Sequence, residues 1–106
     1  MQMEMRTLNF KLSDDLKDHL ESRLRSSLGR IADQIDRLRI SISDVNGPRG
    51  GIDKRCLVAV ALIPRGEIMV ESSGSNPVAV IADTVKRTKL AVVRTLKRQR
   101  SRKSRP

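Results

Sequence analysis

The spacing of the apolar residues changes period along the chain, and this change limits the fold more than any other feature. Over residues 1–6 every second residue is a methionine, which is the period of two expected of a half-buried strand. Ser13 then provides an N-cap, Asp14 and Asp15 follow in the first turn, and apolar residues recur at helical spacing. These apolar residues are Leu16, Leu20, Leu24, Leu28, Ile31 and Ile35. The pattern predicts an amphipathic helix.

Three further strands are predicted in the middle of the chain. Apolar and polar residues alternate over residues 37–43, and the sequence NGPRGG at residues 46–51 is typical of a loop. Residues 55–63, RCLVAVALI, form a segment that is continuously apolar after Arg55 and ends at Pro64. In the next segment, residues 67–71, Ile68 and Val70 share one face.

A second helix is predicted from Pro77 to about Arg98, with Ser75 or Asn76 as its cap. One arc of this helix carries the apolar residues Val78, Ile81, Ala82, Val85, Val92 and Leu96. The bases on or near the opposite arc are Lys86, Arg87, Arg94, Lys97 and Arg98. Lys89 falls within the apolar arc, so its charged end has to reach past the apolar surface to water.

The resulting order of elements is β-α-β-β-β-α, without a repeat or a long linker. Each helix has one apolar stripe and each strand has an apolar face, and all of them are buried if both helices pack on the same side of a four-stranded sheet. We therefore predict an α+β fold with one domain over residues 1–98. Residues 99–106 have too little apolar content to fold, and we expect a disordered basic tail there.

Few residues are suited to catalysis or to metal binding. His19, the only histidine, fits a solvated helix position, and Cys56, the only cysteine, fits a small buried residue. The paired acids of the first helix fit the helix dipole better than acid/base chemistry, and no hydrolase, metalloprotease or P-loop motif occurs. The glycine-rich loop could bind a phosphate through its backbone amides, although a plain hairpin connection fits it better. We predict no enzyme, no cofactor and no metal site.

The net charge of +10 is concentrated at one end of the chain. Residues 1–85 hold 12 bases and 12 acids, whereas residues 86–106 hold 10 bases and no acid. This distribution favours a polyanionic partner, with nucleic acid first and an anionic membrane surface second. No apolar run is long enough for a membrane helix and the N-terminus lacks the apolar block of a signal peptide, so we expect a cytoplasmic protein.

The first helix adds a second set of polar residues at helical spacing. They are His19, Arg23, Ser26 and Arg30. Such a stripe alone is usually a solvated face, but together with the second helix it favours binding. Phe10 is the only aromatic residue, so the chain cannot build the stacking surfaces that hold unpaired bases in many RNA-binding folds. No helix-turn-helix or zinc-finger spacing occurs, and the pattern therefore favours structured RNA, contacted through phosphate and ribose.

Several segments of this chain resemble the ribosome hibernation factors, which are also called sigma-54 modulation proteins. The segments are DVNGPRGGIDKRC at residues 44–56, SDDLKDHLESRL at 13–24 and NPVAVIADTVKR at 76–87. The similarity extends over about residues 1–98. It implies a fold similar to double-stranded RNA-binding domains, with basic helices that clamp small-subunit ribosomal RNA in the decoding channel. It further implies that tRNA and mRNA are excluded, that translation is inhibited as a stress response, and that there is no small-molecule substrate.

The resemblance implies roles for individual bases. It selects Arg23, Arg87 and Arg94, with Arg30, Lys86 and Lys97 as weaker neighbours, and Lys89 and Arg98 complete the expected RNA-binding set. Leu90 is a departure, because the family pattern leads us to expect a base there, for which Lys89 is an imperfect substitute. Longer members carry a second domain that pairs two ribosomes, and we expect this chain to lack it.

Two other functions fit parts of the pattern. The older family name implies a protein that modulates a sigma-54 type transcription factor through protein-protein contact. A general binder of double-stranded RNA would bind any duplex of about 16 base pairs equally well.

Overall fold

A computed structural model describes residues 1–8, 11–44 and 54–103, with side chains up to residue 100. The strands are β1 (Gln2–Leu8), β2 (Ile35–Asp44), β3 (Lys54–Leu62) and β4 (Glu67–Gly74). The helices are α1 (Asp14–Leu28), a short 3-10 helix (Gly29–Gln34) and α2 (Pro77–Lys103). The predicted α+β order is confirmed. The NGPRGG loop and Phe10 lie outside the described residues.

The four strands form one sheet in the order β1-β2-β3-β4. β1 is parallel to β2, with α1 in the connection between them, and the other neighbours are antiparallel. One row of residues across the sheet is Met5, Ile40, Val58 and Val70, and its members all contribute to the core. The adjacent row is Glu4, Arg39, Ala59 and Met69. Because side chains alternate along a strand, this second row points away from the helices. We call the side it faces the open sheet face.

Both helices pack on the other side of the sheet. Leu20, Leu24 and Leu28 of α1 are fully buried. The buried apolar residues of α2 are Val80, Ile81, Val85, Val92 and Leu96. Burial of these apolar side chains removes them from water and is the main stabilising contribution to the fold. α2 contacts α1 on one flank and β3 and β4 beneath it, so it lies between the first helix and the edge of the sheet.

The first helix begins as predicted and ends earlier than predicted. Ser13 Oγ accepts a hydrogen bond from the amide of Leu16 at 3.2 Å, which confirms the N-cap. The α-helix stops at Leu28, and Ile35, which was expected to lie in it, is instead the first residue of β2. Its partner in the sheet is Leu62. The helical spacing of Ile35 is therefore overridden by strand pairing, and Ile31 packs against the core from the 3-10 helix.

The second helix is longer than predicted. Asn76 is the cap, since its Oδ1 accepts from the amide of Val78 at 2.9 Å. Val78 was placed in the apolar arc but is 51% exposed, because it lies in the first turn beyond the core. The residues expected to begin a disordered tail are helical to Lys103. Gln99 contributes to this, because its side chain donates to the carbonyl of Arg65 at 3.3 Å.

The turn between β3 and β4 explains why the helix end stays packed. Gly66 in this turn has φ of 114°, a conformation that L side chains rarely adopt, and its carbonyl accepts from the amide of Leu62 at 2.8 Å. A Cβ atom on Gly66 would lie 3.1 Å from Nε2 of Gln99. The turn and the last turns of α2 are therefore in close contact. The division into a domain over residues 1–98 and a tail stays a prediction. The end of the second helix, predicted at about Arg98, was placed too early, since the helix continues to Lys103.

Candidate nucleic-acid interface

The bases that were singled out in the sequence lie at the helix side of the molecule. They are Arg23, Arg30, Lys86, Arg87, Lys89, Arg94, Lys97 and Arg98, and all of them are exposed. Within the described ranges, Arg87 is the one member of this set that forms an ion pair with a carboxylate. The other members are left to interact with solvent or with an external anion. We call this set the helix-side bases.

One group of these bases lines a groove between α1 and α2. Arg23 of α1 faces Lys86 and Lys89 of α2 across an open groove of about 570 Å³. Ser26 and Ser27 supply hydroxyl groups to the same groove, which could donate to phosphate or ribose oxygens. Three cations without a carboxylate partner in the described chain make this groove strongly electropositive.

A second group lies on the opposite flank of α2, towards β4. Arg87 and Arg94 line another open groove with residues of β4. Since α2 advances 100° per residue, Lys97 lies between the two groups, on the middle of the exposed arc, and Lys86 is the member of the first group nearest to it. Arg23 and Arg94 therefore do not point into one cavity. They mark the two flanks of one continuous basic arc that follows α2.

Arg87 is held by the protein itself. Its Nε lies 2.8 Å from Oδ2 of Asp83, and its Nη1 donates to the carbonyl of Glu71 at 3.3 Å. Asp83 in turn accepts a hydrogen bond from the buried hydroxyl of Ser72 at 2.6 Å. These contacts join α2 to the edge strand β4. Arg87 is thus partly neutralised and has a structural role in addition to any role in binding.

The environment of Asp83 lowers the pKa of its carboxyl group. The hydrogen bond from Ser72 is the largest cause, and the hydrogen bond and charge of Arg87 and the charge of Lys86 act in the same direction. Partial burial raises the pKa but is outweighed. Asp83 and Ser72 were not singled out in the sequence. The signal that could have found Asp83 is its i,i+4 spacing to Arg87 on the basic helix, whereas Ser72 carries no such local signal.

Two predicted sites differ from their expected surroundings. Arg30 was expected on the stripe of the first helix, but the α-helix ends at Leu28 and Arg30 lies on the 3-10 helix, outside the lining of both grooves. Lys89 was expected within the apolar arc, yet it is exposed at the rim facing α1. Lys97 and Arg98 extend the basic arc towards the end of α2, where cations also favour the helix dipole.

Two residues that were considered for other chemistry, His19 and Cys56, lie in different surroundings. His19 is exposed on α1, and Cys56 is buried in the core. Burial raises the pKa of the Cys56 thiol, more than the hydrogen bond with Thr84 lowers it. In the part of the chain that the structure describes, no group of three or more His, Cys, Asp or Glu could hold a metal ion. No described helix is both long and apolar enough to cross a membrane.

The chain matches a family model over residues 3–102, almost its whole length, and the description of that family is sigma 54 modulation protein / S30EA ribosomal protein. The chain belongs to this family. The resemblance seen in the sequence is thereby confirmed. No curated protein matches the chain in sequence.

Two solved structures share the fold of this chain at low sequence identity. A ribosomal subunit interface protein from Coxiella burnetii has a TM-score of 0.75 at 16% identity, and the match covers 92% of this chain and 99% of that one. The N-terminal domain of Protein Y from Thermus thermophilus has a TM-score of 0.70 at 23% identity, with 90% and 99% covered. At these identities the likeness establishes the fold of the chain.

Proposed function

We propose that this protein binds small-subunit ribosomal RNA through its helix-side bases, occupies the decoding channel, and keeps tRNA and mRNA out. The observation that carries the proposal is the basic arc along α2, whose exposed cations apart from Arg87 have no carboxylate partner in the described chain. Such an arc binds a polyanion without any base stacking, as the single aromatic residue of the sequence requires. Translation is inhibited by occupancy, which needs no catalytic group, and the protein acts in the cytoplasm.

Family membership supports a ribosomal RNA over other polyanions. The description of the family includes a ribosomal protein, and the Coxiella burnetii structure is that of a ribosomal subunit interface protein. The width of the basic surface, which runs from Arg23 on α1 to Arg94 on the far flank of α2, fits a folded RNA better than a single extended strand.

Sedimentation with isolated ribosomal subunits tests the proposal. The protein is mixed with small subunits, large subunits or whole ribosomes and separated on sucrose gradients at low and high salt. We expect it to migrate with small subunits and whole ribosomes at low salt and to be released at high salt, because phosphate contacts weaken steeply as salt rises. Migration with large subunits alone, or with neither subunit, contradicts the proposal.

Competition with tRNA tests the inhibitory step. Small subunits are programmed with mRNA and labelled tRNA, and the protein is added in increasing amounts. We expect tRNA to be displaced in proportion to the protein bound. Stable binding of both together would place the protein outside the decoding channel. A general binder of double-stranded RNA is recognised by equal affinity for the small subunit and for an unrelated duplex of about 16 base pairs.

The family description also names sigma 54 modulation, which is a second candidate function. It predicts a complex with a sigma-54 type factor that survives nuclease treatment. The helix-side bases favour the ribosomal proposal, because a protein partner would have to present an unusually acidic surface to the whole arc.

A further inference from the structure

An apolar pair interrupts the basic arc on the β4 flank of α2. Leu90 of α2 is 47% exposed and Met69 of β4 is 58% exposed. Met69 belongs to the row that faces the open sheet face, but β4 is the edge strand, and at this edge both residues line the same open groove of about 320 Å³, together with Arg87 and Arg94. A single exposed leucine on a surface is ordinary, but two large exposed side chains in one groove form a small apolar patch.

The charges around this patch come from α2. Lys86 lies one helical turn before Leu90 and Arg94 one turn after it, so both are neighbours of Leu90 on the helix surface. Neither of them has a carboxylate partner in the described residues. Glu71 also lines the groove, and its carboxylate is paired with Arg55 at 2.8 Å. The patch therefore combines an apolar floor with a cationic rim.

The position of Arg87 shapes the groove as well. Its contacts with Asp83 and with the carbonyl of Glu71 hold its guanidinium against the edge of β4. Arg87 is thus held in place, whereas Arg94, two turns further along the same face of α2, remains available. A guanidinium plane and aliphatic side chains can both pack against a nucleobase when no aromatic residue is present.

We propose that the groove formed by Met69 and Leu90 takes one unpaired nucleobase of the bound RNA, with Lys86 and Arg94 on the neighbouring phosphates. The inference rests on the proposed RNA-binding function and adds to it a preference for RNA with an unpaired base at this point. An unpaired nucleotide presents an apolar planar base beside anionic phosphates, which is the combination that the patch and its rim complement. The groove is continuous with the basic arc, which favours RNA over an acidic protein segment.

Two RNA hairpins test the preference. They are identical except that one carries a single unpaired adenosine in its stem, and their dissociation constants are measured for the full chain and its variants. We expect Leu90→Ala and Met69→Ala each to weaken binding of the bulged hairpin roughly fivefold, because each removes the burial of about half of an apolar side chain. Binding of the paired hairpin should change little. Leu8→Ala is the matched control, because Leu8 is 45% exposed but lies on β1, at the opposite edge of the sheet from the groove.

Crosslinking on the ribosome identifies the occupant directly. A benzophenone amino acid is placed at position 90, or at position 8 as control, and the complex with small subunits is irradiated. An adduct from position 90 to a ribosomal RNA base supports the inference, and an adduct to a ribosomal protein, or no adduct, overturns it. Equal affinity of the wild-type chain for the two hairpins also overturns it. If the protein fails to sediment with ribosomes at all, the proposed function has failed instead.

Discussion

The two sides of this molecule both carry arginines, but they use them differently. On the open sheet face, Arg37 and Arg39 lie 3.6 and 3.7 Å from the carboxylate of Glu4, and Arg55 lies 2.8 Å from that of Glu71. The latter pair lowers the pKa of Glu71 and raises that of Arg55, mainly through their hydrogen bond. The helix-side bases have, apart from Arg87, no such partners in the described chain.

The difference shows that pairing decides the character of a surface as much as the number of charges does. Ion pairs on the open sheet face cancel much of its field at a distance, so a polyanion gains little by approaching it. On the helix side the cations along α2 reinforce one another's electrostatic field. A direct test of this comparison has to change one side while leaving the other intact.

The largest effect is expected for a substitution in the core, because the helices and the sheet are both packed against it. Leu24→Ala removes a fully buried side chain of α1 and should lower the free energy of unfolding by about 2–5 kcal/mol, because the loss of apolar burial is joined by a cavity. Urea unfolding measures the change. Leu8→Ala, at an exposed position of the open sheet face, should change it by less than about 0.5 kcal/mol. A Leu24→Ala chain as stable as wild type would show that the helices contribute little to the core.

The next largest effect is on RNA binding, and it distinguishes the helix-side bases from the open sheet face. Replacing Arg23, Lys86 and Lys89 by Gln should weaken ribosomal RNA binding about 100-fold, at about 1 kcal/mol for each side chain that no longer binds a phosphate. The slope of log affinity against log salt should flatten by roughly one unit for each of these phosphates. The matched variant replaces Arg6, Arg39 and Arg55 by Gln, which removes the same charge from the open sheet face. Equal weakening by both variants would mean that total charge alone controls binding.

A smaller effect concerns the attachment of the basic helix to the sheet. Asp83→Asn keeps the shape of the side chain and removes its charge, and should destabilise the fold by about 0.5–1 kcal/mol at neutral pH. Because the pKa of Asp83 is lower in the folded chain than in the unfolded one, its contribution is present above the ordinary carboxyl pKa of about 4. It is lost as the pH falls through the lower folded pKa.

Measuring the unfolding free energies at several pH values provides the control for this prediction. The difference in unfolding free energy between wild type and Asp83→Asn should disappear in acid, where the carboxyl group is protonated in both states. Asp33→Asn, which removes an exposed acid on the 3-10 helix, should match wild type at neutral pH. A difference for Asp83→Asn that persists unchanged in acid would rule out the charge of Asp83 as its origin.

The smallest effect tests pairing on the open sheet face. Replacing Glu4 and Glu71 by Gln frees Arg37, Arg39 and Arg55 without adding a base. RNA affinity at low salt should rise by about twofold to threefold and return to the wild-type value at high salt, because exposed charges are screened. A filter-binding titration over salt measures it. No rise at low salt would indicate that the shape of this face, and not its pairing, keeps RNA away.

Much of this architecture was predictable because it depends on local chemistry. The caps at Ser13 and Asn76 and the alternation in β1 are properties of a few neighbouring residues. The end of α1 was not predictable in this way, since Ile35 suits either a helix or a strand. Its pairing with Leu62, 27 positions along the chain, decides between them. The length of α2 likewise depends on the contact of Gln99 with a distant turn.

For the interface, the sequence by itself determined that the net charge lies in α2 and beyond, and which residues form the basic arc of that helix. Only the tertiary structure decided which of these charges are already paired with groups of the chain itself. Arg87 is held by Asp83 and by the edge of β4, and Leu90 shares a groove with Met69 of that strand. The reason is physical: helix periodicity is a local property, whereas the partner of a charge or an apolar side chain is set by how the helix packs on the sheet.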